Sequence, residues 1–413
     1  MPRPFVRHAI GAALTVVLLT GCASYAIPAP NAPGASVVPA RLQPGPAEKI
    51  VYRFQGRRDG AGGYADLLCV GSTLYGTTSR GGLFHRGSVF ALTTGGKNRT
   101  IYSFRRRNDG LLPQAGLINV AGDLYGTTSD GGAYASGTVF AVTPSGKERI
   151  VYSFKGGTTG DGSGPWGPVL ALKRTLYGTT ASGGATDNGT VFAVTTSGDE
   201  RIVYSFKGGH DGQRPYSGLI FANGLLYGTT NGTSQGGGGL LGTVFSVTTA
   251  GSERVLYRFG GAPDGANPYA GLVNLRGTLY GTTVGGGTSN FGTVFAIPPS
   301  GKERTIHSFK GGRDGEAPSA PLISRNGILY GTTQLGGGEQ QRCDGCGTVF
   351  ELSASRSEKV LYSFKYNPDG ASPVAGLTAV DGALYGVTEQ GGYGLGTVFR
   401  LSAPLSPAYP SRH

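Results

Sequence analysis

Apolar and polar positions alternate in short bursts, four to a unit, and the unit recurs along nearly the whole chain. Between Pro113 and Phe154 it reads PQAGLINVAGDLYGTTSDGGAYASGTVFAVTPSGKERIVYSF. The pattern predicts strands over Ala115 to Val120, Asp123 to Thr128, Gly137 to Thr143 and Glu148 to Phe154. Each is bounded by Gly, Pro, Asn, Asp or Ser, which supply turn dihedrals. The third strand, with Thr138-Val139-Phe140-Ala141-Val142, is apolar on both faces, so both faces need cover. Gly126 in the second strand is expected to leave room for a bulky side chain from the neighbouring unit.

The Leu-Tyr-Gly of the unit returns at Tyr75, Tyr125, Tyr177, Tyr227, Tyr280, Tyr330 and Tyr385, at intervals of 50, 52, 50, 53, 50 and 55 residues. A Val-Phe pair follows each time. Seven copies at such a period mean an array of small sheets, each burying its faces against its neighbours. Lys49 to Phe54 matches a fourth strand with no first three before it, and Ala375 to Ser402 supplies three strands and stops. One strand at the start and three at the end close a ring, which removes exposed edges. The expected fold is all-β, a seven-bladed β-propeller over residues 49–403, with the N-terminal strand completing the last blade. A linear solenoid would need atypical capping repeats at both ends, and neither end shows one.

Residues 1–21 have the form of a targeting segment. Arg3 and Arg7 make a basic start, and Ala9 to Thr20 is an apolar run too short to span a bilayer. Leu19-Thr20-Gly21-Cys22 resembles a bacterial lipobox, and that resemblance implies cleavage before Cys22, its lipidation and delivery toward the outer membrane. An ordinary secretory signal with a chance cysteine is the alternative. Residues 22–48 then form a proline-rich tether, and residues 404–413 a tail.

The strand order resembles the kelch plan. Asp-Gly, Leu-Tyr-Gly-Thr-Thr, Gly-Thr-Val-Phe and Tyr-Ser-Phe stand in that order almost throughout. On these motifs the repeat resembles the bacterial GloVer tandem-repeat family over all seven units. The resemblance implies an envelope or surface protein with no assigned reaction. Departures are few: His307 replaces the Tyr of Tyr-Ser-Phe, Val387 replaces a Thr, and Thr159-Gly160 lengthens one loop.

Composition narrows the partners. The chain carries 76 Gly among 413 residues, as tight turns in every blade require, and a formal net charge of +12. A basic protein can meet nucleic acid, anionic lipid or acidic glycan, and an envelope address disfavours the first. Lys147-Glu148-Arg149 and Lys302-Glu303-Arg304, at short turns, read as a solvated rim of mixed sign. The expected partners are the membrane, through the lipid, and a polysaccharide or envelope protein. A monomer is expected, with no cofactor and no metal.

Chemistry, if any, belongs to the two long loops of each blade, which a propeller places on one face. Asp59, Asp109, Asp161, Asp211, Asp264, Asp314 and Asp369 each precede a Gly in the inter-blade loop. They are read as turn builders accepting local backbone N–H bonds, with Gly at positive φ; a ring of cation ligands is the alternative. Three residues before the Leu or Val of the first strand stand Tyr64, Gln114, Trp166, Tyr216, Tyr269, Ser319 and Val374. Tyr64, Trp166, Tyr216 and Tyr269 are thus candidate ligand-stacking residues at the channel mouth, or else a plug. Cys343 and Cys346 are expected to form a disulfide in an oxidising envelope, with a metal or redox role as alternatives, while Cys69 reads as a small buried thiol. No catalytic constellation emerges. His307 reads as structural, His85 and His210 have no Ser or Asp partner assignable by spacing, and Glu316 and Glu389 are loop carboxylates that make no constellation by themselves. The expected function is a lipid-anchored binding or scaffolding module. A propeller hydrolase or lyase, or a purely structural surface protein, are the alternatives.

Overall fold

The computed structural model describes residues 47–105, 107–157, 160–232, 241–338, 345–353 and 357–402. Seven antiparallel four-stranded sheets form a ring, a seven-bladed β-propeller. The second blade comprises Ile118–Val120, Asp123–Thr128, Thr138–Val142 and Glu148–Ser153, from the channel outward. Its innermost strand starts three residues later than expected. The Ala115 carbonyl accepts a bond from the Thr77 hydroxyl of the preceding blade at 3.1 Å, so this segment serves the neighbour instead of its own sheet.

The ring closes as the strand arithmetic requires. Ala47–Arg53 pairs with Thr397–Ser402, from Ala47 opposite Ser402 to Arg53 opposite Thr397, so blade seven takes its outer strand from the other end of the chain. Residues 1–46 and 403–413 lie outside the described residues, and with them Cys22, the targeting segment and nearly all of the tether.

The core is seven inter-blade layers. Each cluster of buried side chains joins two neighbouring blades, as when Tyr125, Val139 and Phe154 of blade two meet Leu176 and Phe192 of blade three. The third strand of blade two is buried at every position, as its apolar pattern demands. At each joint the outer-strand Phe meets the next blade's Val-Phe ring edge-on. Phe154 and Phe192, for example, lie 4.9 Å apart at 68°. Such a pair adds roughly 0.5–1.5 kcal/mol beyond its buried area.

Gly126 makes room for its own blade. A Cβ there would sit 2.7 Å from Phe140, its partner across the sheet, and 2.8 Å from Leu117 just before the innermost strand of the same blade, so the expected neighbouring unit is not the reason. Within the outer strand a one-residue bulge lies between the partners of Val139 and Phe140, and the other six blades share it. A bulge resets side-chain alternation. Val151 therefore turns into the core while the next residue, Tyr152, reaches the inter-blade loop.

Candidate functional site

The two long loops of each blade are hydrogen-bonded to one another, so they build a single surface. Ala61 pairs with Arg80, Leu111 with Asp130 and Gly162 with Gly183, and the other four blades repeat the contact.

Beneath this surface each joint holds a three-residue clasp. Asp161 accepts the Tyr152 hydroxyl at 2.9 Å and the Lys155 N–H at 2.7 Å. The same two kinds of bond hold Asp59, Asp109, Asp211 and Asp264, and Asp369 takes the Tyr362 hydroxyl at 2.5 Å. Asp314 instead meets His307. The Gly after each Asp is needed for close approach, since a Cβ on Gly60 would fall 2.0 Å from the Thr78 hydroxyl and one on Gly162 2.5 Å from Thr180. Positive φ, expected at all seven, occurs at Gly60, Gly110, Gly212 and Gly315. Gly162, Gly265 and Gly370 lie instead in two-residue strands.

The third member of the clasp comes from the next blade. Glu148, Glu200, Glu253, Glu303, Glu358 and Glu48 each approach the Asp of the preceding joint, and Asn98 takes this place at the first. One oxygen of each of these six carboxyls is buried without a hydrogen-bond partner among the described residues. This corrects the reading of Glu148 and Glu303 as members of a solvated rim: their Lys and Arg neighbours are exposed, with Arg149 reaching along the surface to the Tyr125 hydroxyl and the Thr196 carbonyl, while the carboxyl turns inward. Burial, with the nearby Asp, pushes Glu48, Glu200, Glu253 and Glu303 up to about 7 and Glu358 up to about 8, and raises Glu148 likewise. Strand alternation held the clue, because Glu lies one position out of phase with its charged neighbours.

At the channel mouth three predicted aromatics come together. Trp166 meets Tyr216 edge-on at 5.7 Å, and Tyr216 stacks on Tyr269 at 5.4 Å with 18° between planes. Trp166 and Tyr269 are each 42% exposed, so the arc keeps open aromatic area despite its internal packing. Tyr216 is half-buried, and burial raises its hydroxyl above the usual value.

Tyr64 stands apart from the arc. Its hydroxyl donates to Glu389 of blade seven, which also meets Arg80 at 3.4 Å, and burial and the Glu389 contact push Tyr64 up to about 12. Glu389 and Arg80, with Gln55, Arg57 and Leu395, line a half-open cleft of about 440 Å³. Two residues on, Asp66 stands where the other blades have Gly or Pro: Gly116, Pro168, Gly218, Gly271, Pro321 and Gly376. Asp66 accepts the Gly376 N–H at 2.5 Å, and desolvation lifts its carboxyl to about 6. That departure was visible in the repeat alignment, but only the ring shows that it puts one acid among small turns at the channel.

Cys346 is buried, and Cys69, expected as a buried thiol, is half-buried. Cys343 lies outside the described residues. The second set of exposed aromatics, Phe84, Tyr134, Phe291 and Tyr393, projects from the other long loop.

The repeats match the model of the Gloeobacter/Verrucomicrobia repeat family over residues 40–161, 152–343 and 231–408. The chain belongs to the Gloeobacter/Verrucomicrobia repeat family. No curated protein matches it. Among solved structures, this family member is similar to a puromycin hydrolase mutant complexed with PGG, at 13% identity and a TM-score of 0.52, over 82% of this chain and 52% of that one. It thus spans about half the length of that hydrolase, and the likeness concerns the fold alone. A europium-containing methanol dehydrogenase aligns at 10% identity and a TM-score of 0.48, over 85% of each chain.

The clasp makes stability depend on pH. Each Glu holds its proton up to about 7 or 8 when folded, against 4.5 ordinarily, so the folded chain binds more protons between those values. The contribution of these groups is fully present below pH 4.5, declines as pH rises through about 7 to 8, and then levels. Melting temperature is expected to fall from pH 5 to pH 8, and Glu200→Gln with Glu303→Gln should flatten the profile. A melting temperature that climbs across this range would contradict the clasp.

Proposed function

We propose that this propeller is a lipid-anchored binding module of the cell envelope, with the arc of Trp166, Tyr216 and Tyr269 as its docking surface for a polysaccharide or a related envelope polymer. The observation that carries the reading is the arc itself: three contiguous aromatic rings, two of them substantially exposed, at the mouth of a rigid ring. Planar aromatic faces stack on sugar rings, and polar neighbours fix orientation. Arg214, which acts electrostatically on the Tyr216 hydroxyl, supplies such a neighbour. The lipobox-like Leu19-Thr20-Gly21-Cys22 supports an anchor at Cys22, and the basic charge suits anionic lipid or acidic glycan better than a role with nucleic acid.

A propeller enzyme acting on an extracellular polymer is the second reading. It rests on the cleft between blades seven and one, where Glu389, Tyr64 and Arg80 contact one another beside open volume. Screening the purified protein against polysaccharides, by thermal shift and by product release, separates the two: binding without product favours the module, and product favours the enzyme.

Two further outcomes are expected. Cys22→Ala should move the protein from the membrane to the soluble fraction, because acylation supplies the stable anchor; persistence in the membrane with the signal cleaved would overturn the lipid reading. Truncating Trp166, Tyr216 or Tyr269 to Ala should weaken binding of the polysaccharide found in the screen about thirtyfold, from ~2 kcal/mol per hot-spot aromatic, with melting little changed. Core aromatics cost about 3–5 kcal/mol of stability instead. Variants that melt early yet bind normally would make the arc a plug.

A further inference from the structure

One clasp carries an imidazole where the other six carry a phenol. Where the repeat places Tyr, the fifth blade's outer strand carries His307, facing Asp314 of its own inter-blade loop and Glu358 of blade six. We propose that His307, Asp314 and Glu358 form a binding site for a divalent transition cation of the zinc class, one imidazole and two carboxylates between blades five and six.

The geometry fits such an ion. One ligand atom from each residue can be chosen so that all three lie within 4.8 Å of one another. His307 Nε2 stands 3.3 Å from each Asp314 oxygen. In a tetrahedral shell with bonds of about 2.1 Å, neighbouring ligand atoms are roughly 3.4 Å apart, so the imidazole and carboxylate already hold a coordination edge. Glu358 Oε1 is buried and has no hydrogen-bond partner among the described residues, which leaves a lone pair for a cation. Asp314 is fixed by the Lys310 N–H at 2.7 Å, and the His307 ring is braced edge-on by Phe309 at 4.7 Å, so two of the three donors are held before any ion arrives.

The donor set also favours the zinc class over calcium. Ca²⁺ takes six to eight oxygens, which this joint cannot supply, whereas three protein ligands with one open position suit Zn²⁺. At the five Tyr-Asp-Glu joints the phenol keeps its proton, raised by burial and by the carboxylate it faces, so those clasps offer only two carboxylates. Lys310 is the nearby opposing charge.

The test uses the purified untagged protein, stripped with chelator, and Zn²⁺ and Co²⁺ as probes at pH 7.5. The expected result is one equivalent bound by calorimetry, visible Co²⁺ absorption and a melting temperature that rises with free Zn²⁺. His307→Tyr restores the repeat's own residue, so it should fold without metal and bind at least tenfold more weakly. Glu358→Gln, which keeps shape and loses the charge, should do the same. No binding by the parent protein, or equal binding by His307→Tyr and Glu358→Gln, would overturn the proposal.

Discussion

A four-stranded blade whose third strand is apolar on both faces has no stable existence alone, and that constraint governs the molecule. Each Val-Phe strand needs a neighbour on either side, so seven blades need a ring in which none is terminal. The seven inter-blade clusters and the repeated edge-on Phe pairs are this one demand met at every joint. Closure falls to Ala47–Arg53, which gives blade seven its outer strand and places Phe54 against Phe90 of blade one.

Once the ring is imposed, its departures become informative. Six joints carry a Thr hydroxyl bonded to the next blade's carbonyl, but Val387 ends that series at the joint between blades seven and one. There the Thr378 hydroxyl bonds the Leu67 carbonyl, Asp66 takes the Gly376 N–H, and Tyr64 and Arg80 meet Glu389. The joint that seals the ring therefore replaces the repeated Thr bond with its own set of polar contacts, and it borders the cleft. Asn98 and His307 likewise alter single clasps, the first removing an acid and the second introducing a base.

Much of this was legible in the chain. Period and blade count follow from the spacing of the motifs, and closure from the lone strand at the start and the three at the end. The aromatic arc followed from reading one variable position across the repeats. What escaped was direction. Glu148 between two cations looks solvated until strand alternation and the outer-strand bulge are combined. Gly126 promised space without saying for whom, and only the register of Gly126 opposite Phe140 assigns it. Tyr64 and Trp166 occupy the same repeat position, yet one turns to Glu389 and the other stays exposed, since partner availability differs from blade to blade.

The fold stands on closure, and a pair of deletions compared by thermal melting tests this most directly. Removing residues 49–54 strips the outer strand from blade seven and opens an edge, so melting should fall sharply or the protein should aggregate. Removing residues 23–46, a stretch whose composition suits a tether, should leave the melting temperature nearly unchanged. Equal tolerance of the two deletions would mean that the ring is not closed by its N-terminal strand.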